Sequence, residues 1–375
     1  MKYFDEYTSN TVAGSSNQFY FTTERDRIHT GRIFYKISCG GEYDYSVLFS
    51  NIIDSTYADG TYSHKNMICK DWRIEKARIG KCSKFNYTKD ICSMIMDDKN
   101  KNSDIVISEF KDVTFGGLTS RGAAPGEFLS SDPVTLDLKK DEYLCVEVTF
   151  SGEMIPYHEE SLLPVFLKKN GVWKYSKYMP FPAMIGCNRK VRGRIAYLGD
   201  SITQGVGTKP NSYRHWNAIL SEKLGEEYAY WNLGIGYGRA NDVASDGSWL
   251  FKAKQNDIVF VCFGVNDILN NHPKEQIIAD LTYVVKTLKK DGKKVIVQTV
   301  PPFNYEGETI DKWKSINSYI TNDISEIADF VFDNTHILGE KDNIHRAKYG
   351  GHPNEAGCKV WADALFDKIR ENGIL

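Results

Sequence analysis

The hydrophobic pattern of the chain changes its period near residue 190. Before that point, short alternating or β-rich runs stand between turn clusters rich in Gly, Asp, Ser and Asn. These runs occupy residues 32–38, 45–53, 104–110, 112–117 and 143–150. Several short strands between turns, with no long helical period, are typical of an antiparallel β-sandwich or jelly roll. We therefore predict an all-β domain over residues 1–188, with loops at 97–104 and 120–128.

After residue 190, near-continuous apolar strands alternate with stretches that have helical spacing. The predicted strands are 194–199, 228–234, 257–264, 294–300 and 329–333, and the predicted helices are 213–225, 274–292, 311–328 and 354–373. Such alternation is typical of a parallel sheet covered by helices on both faces. We predict an α/β domain over residues 189–375. Ligand sites of these sheets lie at the carboxyl ends of the strands.

Four stretches carry candidate chemistry at those places. Residues 199–203, 232–238 and 264–267 each follow a predicted strand, and residues 351–354 open the last helix. Each stretch alone reads as an ordinary turn or helix start, because Gly, Asp, Ser and Asn favour turns for local reasons. Together they match what acyl transfer needs. Ser201 would be the nucleophile, His352 its base, and the Asn266 carboxamide with nearby backbone N–H groups would stabilise an oxyanion.

The composition and charge of the chain indicate which classes of binding partner to expect. The chain has 375 residues, 41% hydrophobic and 26% charged, with 47 basic and 49 acidic side chains and a net charge of −2. This balance predicts neither nucleic acid nor an anionic membrane as a partner. No stretch reaches the ~20 apolar residues of a membrane span. The N-terminus has no apolar leader region, which predicts a cytoplasmic location, although a secreted chain that had lost its leader would read the same.

The cysteines point to buried thiols rather than to disulfides or a metal site. There are eight, at 39, 69, 82, 92, 145, 187, 262 and 358, and none forms a Cys-x-x-Cys pair. Cys145 and Cys262 lie inside apolar runs, as buried thiols of a reducing compartment do. No cluster has the spacing of metal ligands, so we predict neither a metal nor an organic cofactor.

The second half resembles the SGNH, or GDSL, hydrolase superfamily. GDSIT at 199–203, GVND at 264–267 and HPNEAG at 352–357 are similar to ordered motifs of that family. The resemblance implies a three-layer α/β/α, flavodoxin-like domain in which Ser201 is the nucleophile and first oxyanion N–H. It also implies that Asn266 is the side-chain oxyanion donor and His352 the general base. In the Gly block, either Gly236 or Tyr237 would supply a second oxyanion N–H.

The first half resembles the β-rich domain that precedes the catalytic domain in two-domain SGNH carbohydrate esterases. The similar segments are 46–51, 113–117, 131–138 and 155–158. This resemblance implies an acetylxylan-type esterase whose partner is an acetylated carbohydrate, deacetylated on xylan-type hemicellulose or its oligosaccharides.

Two positions depart from the family pattern. Tyr349 occupies the place of the usual Asp three residues before the His, so a backbone carbonyl or another carboxylate would orient His352. Asp333, Asp342 and Glu355 are near in sequence and stay open as that carboxylate. In the Gly block, Tyr237 stands where a glycine is usual.

Three further residues lie near the motifs. Asp200 is expected to accept local hydrogen bonds that shape the turn rather than to join the triad. Arg239 and Asn241 would line the cleft or lie on the surface.

Three rival functions remain. The enzyme could hydrolyse longer acyl chains as a lipase or thioesterase does. The chain could be a carbohydrate-binding protein without activity, or an assembly module whose β domain builds a homo-oligomer.

Overall fold

The computed structural model describes residues 2–57, 63–87, 96, 103–339 and 344–375. The chain forms two compact units. The first comprises Met1–Ile53 with Met67–Lys190, and the second comprises Asp54–Asn66 with Val191–Leu375. This division differs from the predicted contiguous one at 188/189, because residues 54–66 group with the second unit. The side chains of Asp54, Ser55, Lys65 and Asn66 form hydrogen bonds with residues of that unit.

The first unit is built from antiparallel strands. Its elements are α1 (Tyr3–Glu6), β1 (Thr8–Ser9), β2 (Phe19–Thr22), β3 (His29–Lys36) and β4 (Gly41–Ser50), then β5 (Ile52–Tyr57) and β6 (Ser63–Ile68), which continue into the second unit, and β7 (Trp72–Phe85), β8 (Ile105–Val113), β9 (Arg121–Ala123), β10 (Phe128–Ser130), β11 (Val134–Leu138), β12 (Tyr143–Gly152), β13 (Met154–Tyr157), β14 (Val165–Lys169), β15 (Val172–Tyr175) and β16 (Pro182–Cys187). The predicted β-rich character is confirmed.

Two larger antiparallel sheets organise this unit. One has the order β1-β16-β4-β10, with β11 also paired to β4, and the other has the order β15-β14-β3-β12-β7-β8, with β9 on β7. Phe49 on the first sheet meets Trp72 on the second, with ring centroids 6.0 Å apart. Apolar side chains of the second sheet form a buried cluster of Phe34, Cys82, Ile105, Ile107, Cys145, Phe166 and Trp173. Jelly-roll connectivity stays a prediction.

Two local expectations for the first unit differ from the structure. The run at 104–110 and the start of the run at 112–117 form a single strand, β8, which ends at Val113. Lys111 and Asp112 continue the strand because β8 lies at the edge of its sheet, where polar side chains reach solvent. The predicted loop at 120–128 contains the short strand β9 and the start of β10. Most of the predicted loop at 97–104 lies outside the described residues.

The second unit alternates strands and helices. Its elements after residue 190 are β17 (Gly193–Gly199), α2 (Ser201–Gln204), α3 (Trp216–Leu224), β18 (Tyr228–Asn232), α4 (Ala240–Val243), α5 (Ser248–Lys254), β19 (Ile258–Cys262), α6 (Val265–Leu269), α7 (Lys274–Lys290), β20 (Lys294–Gln298), α8 (Glu308–Asn322), a 3-10 turn (Ile324–Glu326), β21 (Phe330–Phe332), β22 (Ala347–Tyr349), β23 (His352–Pro353) and α9 (Glu355–Glu371).

The strands of this unit form a five-stranded parallel sheet with the order β18-β17-β19-β20-β21. Trp216 of α3 stacks on Trp361 of α9, with centroids 5.6 Å apart and an interplanar angle of 8°. The arrangement is the predicted three-layer α/β/α fold, with the flavodoxin-like strand order. The chain leaves β17 for β18 on one side and returns to β19 on the other. The carboxyl ends of β17 and β19 therefore flank the switch point where ligands bind in such sheets.

The described cysteines are consistent with buried thiols. Seven are free and buried, and Cys92 lies outside the described residues. Within the described ranges, no helix has the length and apolar character required to cross a membrane.

Candidate active site

Ser201 begins a single helical turn directly after β17. Asp200 is extended, and its carboxylate accepts a hydrogen bond from the Ile202 N–H at 2.9 Å, which caps α2 at its start. A Cβ on Gly199 would lie 2.7 Å from the Cys262 carbonyl oxygen, so glycine is needed for β17 to turn this closely past β19. The sharp turn places the Ser201 side chain at the carboxyl end of the sheet.

His352 stands between a tight turn and the start of α9. Gly350 and Gly351 have φ angles of 52° and 78°, which favour glycine. A Cβ on Gly351 would lie 2.5 Å from the Phe303 ring, and the His352 ring meets the same ring edge-to-face at 5.2 Å. The Asn354 side chain accepts a hydrogen bond from the Gly357 N–H at 2.9 Å and caps α9, as the helix pattern indicates. The Phe303 ring therefore packs against the imidazole, and the Asn354 cap fixes the backbone that follows it.

The structure brings Ser201 and His352 together across 151 residues of sequence. The Oγ of Ser201 and the Nε2 of His352 are 2.8 Å apart, a hydrogen-bond distance. A serine hydroxyl becomes a useful nucleophile when a base within this reach removes its proton. The pair has the geometry that nucleophilic catalysis requires.

The Gly block lies beside this pair. The Ile235 N–H donates to the Gly199 carbonyl at 3.1 Å, and the Gly238 N–H donates to the Ile235 carbonyl at 3.1 Å, which closes a turn. Tyr237 occupies that turn with a φ of 61°, in the left-handed region that glycine adopts without strain. The conformation explains why a glycine is usual there. The choice between Gly236 and Tyr237 as oxyanion donor stays open.

Asn266 joins this turn from the end of β19. It lies in α6 and is half-buried, and its Nδ2 donates to the Gly238 carbonyl at 2.9 Å. A carboxamide has two N–H donors. No residue in the described part of the chain engages the second donor of Asn266. That N–H is therefore suited to an oxyanion, while the first one ties the residue to the Gly block.

Two aspartates without a predicted role hold these loops together. Asp267 accepts a hydrogen bond from the Ala240 N–H at 3.1 Å, which joins the β19 loop to α4. Asp242 accepts from the Arg239 backbone N–H at 3.2 Å and from its guanidinium at 2.7 and 3.1 Å. An acidic residue three positions after a helix start is typical of a capping box, and this signal could have indicated Asp242.

The structure separates the two residues that were expected at the cleft or on the surface. Arg239 is buried in its ion pair with Asp242. Asn241 is part-buried and donates to Asp280 Oδ2 at 3.1 Å. Arg239 therefore supports the loop that follows the Gly block.

Burial controls the charge of the two aspartates nearest to the site. Burial raises the pKa of Asp200 to about 7. The nearby Asp267 charge also raises this pKa, whereas the hydrogen bond from the Ile202 N–H lowers it. Burial also raises the pKa of Asp267 to about 7, against the hydrogen bond from Ala240 and with the Asp242 charge. Asp200 acts as the local acceptor that the sequence predicts, since its carboxylate bonds the turn.

The carboxylate that would orient His352 stays open. Asp333 accepts hydrogen bonds from the Thr335 N–H at 3.0 Å, the Thr335 hydroxyl at 2.7 Å and the Thr299 hydroxyl at 3.2 Å. Burial would raise the pKa of Asp333, but these hydrogen bonds hold it below its usual value. Glu355 is the first residue of α9, and its Oε1 is buried without a hydrogen bond to any described residue. Asp342 lies outside the described residues.

No metal site is evident in the described ranges. Within them, no group of three or more His, Cys, Asp or Glu side chains is arranged to hold an ion.

Comparison with known families bears directly on this site. Residues 197–360 match the sequence model of the GDSL-like lipase/acylhydrolase family. The matched segment contains Ser201, Asn266 and His352. No curated protein matches the chain.

Solved structures to which the chain is similar include several esterases. A family two carbohydrate esterase from Clostridium thermocellum, in complex with cellohexaose, is 12% identical and covers 98% of this chain and 99% of its own, with a TM-score of 0.42. A catalytic mutant of the acetylxylan esterase Axe2 from Geobacillus stearothermophilus is 20% identical over 49% of this chain and 96% of its own, with a TM-score of 0.37. The psychrotrophic esterase EstA from Pseudoalteromonas sp. is 18% identical over 48% and 99%, with a TM-score of 0.38.

Proposed function

We propose that the chain is a serine esterase that removes O-acetyl groups from hemicellulose-type (xylan) poly- or oligosaccharides through an acyl-enzyme. The observation that carries the proposal is the 2.8 Å contact between Ser201 Oγ and His352 Nε2. The match of residues 197–360 to an acylhydrolase family supports the reaction class. The carbohydrate substrate follows from the resemblance of the first half to the β domain of two-domain carbohydrate esterases.

In the first half of the reaction, Ser201 Oγ attacks the acetyl carbonyl carbon while His352 Nε2 takes the hydroxyl proton. The carbonyl oxygen becomes an oxyanion. The N–H groups of Ser201 and of the Gly block and the second N–H of Asn266 stabilise it. The tetrahedral intermediate then collapses as His352 returns the proton to the leaving sugar oxygen. The sugar departs with a free hydroxyl, and the acetyl group stays on Ser201.

In the second half, water replaces the sugar. His352 takes a proton from the water, whose oxygen attacks the acetyl-serine carbonyl. The same donors stabilise the second oxyanion. Collapse releases acetic acid, which ionises to acetate in water, and returns the proton from His352 to Ser201 Oγ, which restores the starting pair. No step requires an oxidant, reductant or second substrate besides water.

The reaction class is tested with 4-nitrophenyl acetate. We expect Ser201→Ala and His352→Ala each to lower kcat by at least about 10⁴-fold with the fold intact, since members of such a unit act together. An organophosphonate fluoride should label wild-type Ser201 at one equivalent. Full activity of Ser201→Ala would reject the mechanism. Absence of labelling in the wild type would favour the inactive carbohydrate-binding or assembly functions.

The substrate is tested separately by acetate release. We expect acetylated xylo-oligosaccharides to be hydrolysed with a higher kcat/KM than acetylated manno-oligosaccharides. A series of 4-nitrophenyl esters from acetate to octanoate should show a preference for acetate. A preference for octanoate would favour the lipase or thioesterase function and reject deacetylation.

A further inference from the structure

Residues 54–57 and 63–66, which we call the bracing hairpin, come from the first half of the sequence but belong to the second unit. They include the ends of β5 and β6 that pair with each other. Asp54 accepts hydrogen bonds from the Lys252 Nζ at 2.5 Å and the Ser248 hydroxyl at 2.6 Å. The Asp54 and Lys252 side chains are both 0% exposed. Removal of one partner would leave an uncompensated buried charge, which strongly destabilises a folded protein. The pair therefore fixes the hairpin to α5.

The second strand of the hairpin contacts the same region. Lys65 Nζ donates to the Asn241 side-chain oxygen at 2.7 Å. The Asn66 side chain accepts from the Ser248 N–H at 3.0 Å and donates to the Ser245 hydroxyl. A Cβ on Gly247 would overlap the Asn66 carboxamide. The hairpin therefore fits closely against α4 and the start of α5.

One contact leads from the hairpin toward the candidate active site. The hydroxyl of Ser55 donates to Asp242 Oδ2 at 2.7 Å, and both residues are buried. The same carboxylate oxygen accepts from the Arg239 backbone N–H and Nε. Arg239 directly follows Gly238, whose carbonyl accepts from the Asn266 carboxamide. Ser55 therefore contacts the Asp242 carboxylate, which holds Arg239. Arg239 is the neighbour of Gly238, to whose carbonyl Asn266 is bonded.

We propose that the bracing hairpin holds the 236–242 loop in place and that Ser55 is a positioning residue for the oxyanion donors. The inference rests on the proposed function for its kinetic consequence, but its structural consequence is measurable without activity. Misplacing a reacting group by about 1 Å can cost about 10²-fold in rate, so loss of one of several braces should cost less. We expect the loss of this one constraint to lower kcat about tenfold.

The test uses Ser55→Ala in the full-length protein. A matched control is Ser221→Ala. Ser221 lies on α3 and is also a buried serine of the second unit, and its hydroxyl is 2.9 Å from the Tyr197 hydroxyl. We expect Ser55→Ala to lower kcat on 4-nitrophenyl acetate about tenfold with little change in KM. Ser221→Ala should lower the melting temperature without changing kcat.

A double-mutant cycle shows whether the effect passes through Asn266. If Ser55 acts by positioning that carboxamide, Ser55→Ala should have little further effect on kcat in an Asn266→Ala background. Equal effects in both backgrounds would overturn the proposed route.

Hydrogen exchange gives a readout that does not depend on catalysis. The backbone N–H groups of Gly238, Arg239, Ala240 and Asp242 are all hydrogen-bonded in this loop. Ser55→Ala should speed their exchange several-fold and leave α3 unchanged, whereas Ser221→Ala should do the reverse. Unchanged exchange at 238–242 would overturn the inference even if the protein proved inactive. Inactivity of the wild type would instead reject only the proposed function.

Discussion

Buried carboxylates are treated in opposite ways in the two units. In the first unit, Glu147 on β12 lies between Arg32 on β3 and Arg78 on β7, at N–O distances of 2.7 and 2.5 Å. Burial alone would raise the pKa of Glu147, but the two guanidinium groups hold it below its usual value. In the second unit, Asp200 and Asp267 have pKa values raised to about 7, because burial outweighs their hydrogen bonds.

The difference separates groups that stabilise the fold from groups that shape a site. Glu147 neutralises two cations on neighbouring strands, and the Arg32 guanidinium also lies 4.3 Å from the Trp173 ring. Asp200 and Asp267 bind backbone N–H groups of the loops that carry Ser201 and Asn266. Buried acids with strongly shifted pKa values concentrate at functional sites, where local geometry is favoured over stability.

The comparison predicts its largest effect for the loss of the Glu147 charge, which should destabilise the first unit. Glu147→Gln removes the charge between two arginines, of which Arg32 is 4% exposed, and should lower the free energy of unfolding by about 3–5 kcal/mol. Urea denaturation measures this change, and kcat of the folded protein should stay the same. The control Glu142→Gln alters a partly exposed pair with Lys81 at 2.8 Å and should cost below about 1 kcal/mol. A loss of kcat in folded Glu147→Gln would break the comparison.

The second effect should be confined to catalysis. Asn266→Ala removes the proposed oxyanion donor and should raise the barrier by about 3–4 kcal/mol, a decrease of about 10²–10³ in kcat. KM and the melting temperature should change little. Steady-state kinetics on 4-nitrophenyl acetate measures the effect, with Asn322→Ala on the exposed face of α8 as the control. A kcat within twofold of wild type would remove Asn266 from the oxyanion site.

The smallest effect is a dependence of stability on pH. The folded-state pKa of Asp200 is raised from 3.8 to about 7, so the protonated form is favoured by folding. Its stabilising contribution is fully present below the unfolded-state pKa near 3.8 and is lost as the pH rises through about 7. Asp200→Asn keeps a helix-capping oxygen but does not titrate. We expect the melting temperature of this variant to fall less between pH 5.5 and 8, on the order of a few degrees.

The control for this prediction is an aspartate shifted the other way. Burial would raise the pKa of Asp363, but Lys223 and Lys359 hold it below its usual value. Its stabilising contribution is present at neutral pH and is lost only in acid, as the pH falls below 3.8 toward its lowered pKa. Asp363→Asn should therefore leave the slope between pH 5.5 and 8 unchanged. The same slope in Asp200→Asn and wild type would show that Asp200 is not the titrating group.

The sequence reveals those parts of the molecule that depend on local periodicity. Continuous apolar strands and capped helices indicate the parallel sheet, as at Asn354, whose capping oxygen is evident before any contact is known. Ser201, Asn266 and His352 can be predicted from the sequence in the same way, because each follows a strand or precedes a helix. What links them in space is the strand order, which places the ends of β17 and β19 side by side.

The remaining features depend on contacts between distant residues. The sequence pattern gives no prediction for residues 54–66, and nothing local marks Asp54 as the partner of Lys252. Lys111 and Asp112 resemble a break between two strands, yet the sheet tolerates them on its last strand. Tyr237 gives no local sign of a positive φ, since only the surrounding loop imposes it. Register, edge position and long-range ion pairs are tertiary properties that a residue's neighbours in sequence do not encode.

The pairing of Asp54 with Lys252 has a consequence for how the protein is made. The two residues are separated by 198 positions. At a synthesis rate of about 5–20 residues per second, the ribosome needs roughly 10–40 seconds to travel from one codon to the other. During that interval the nascent acid has no ammonium group to meet, so the second unit cannot close around it until most of the polypeptide has been translated.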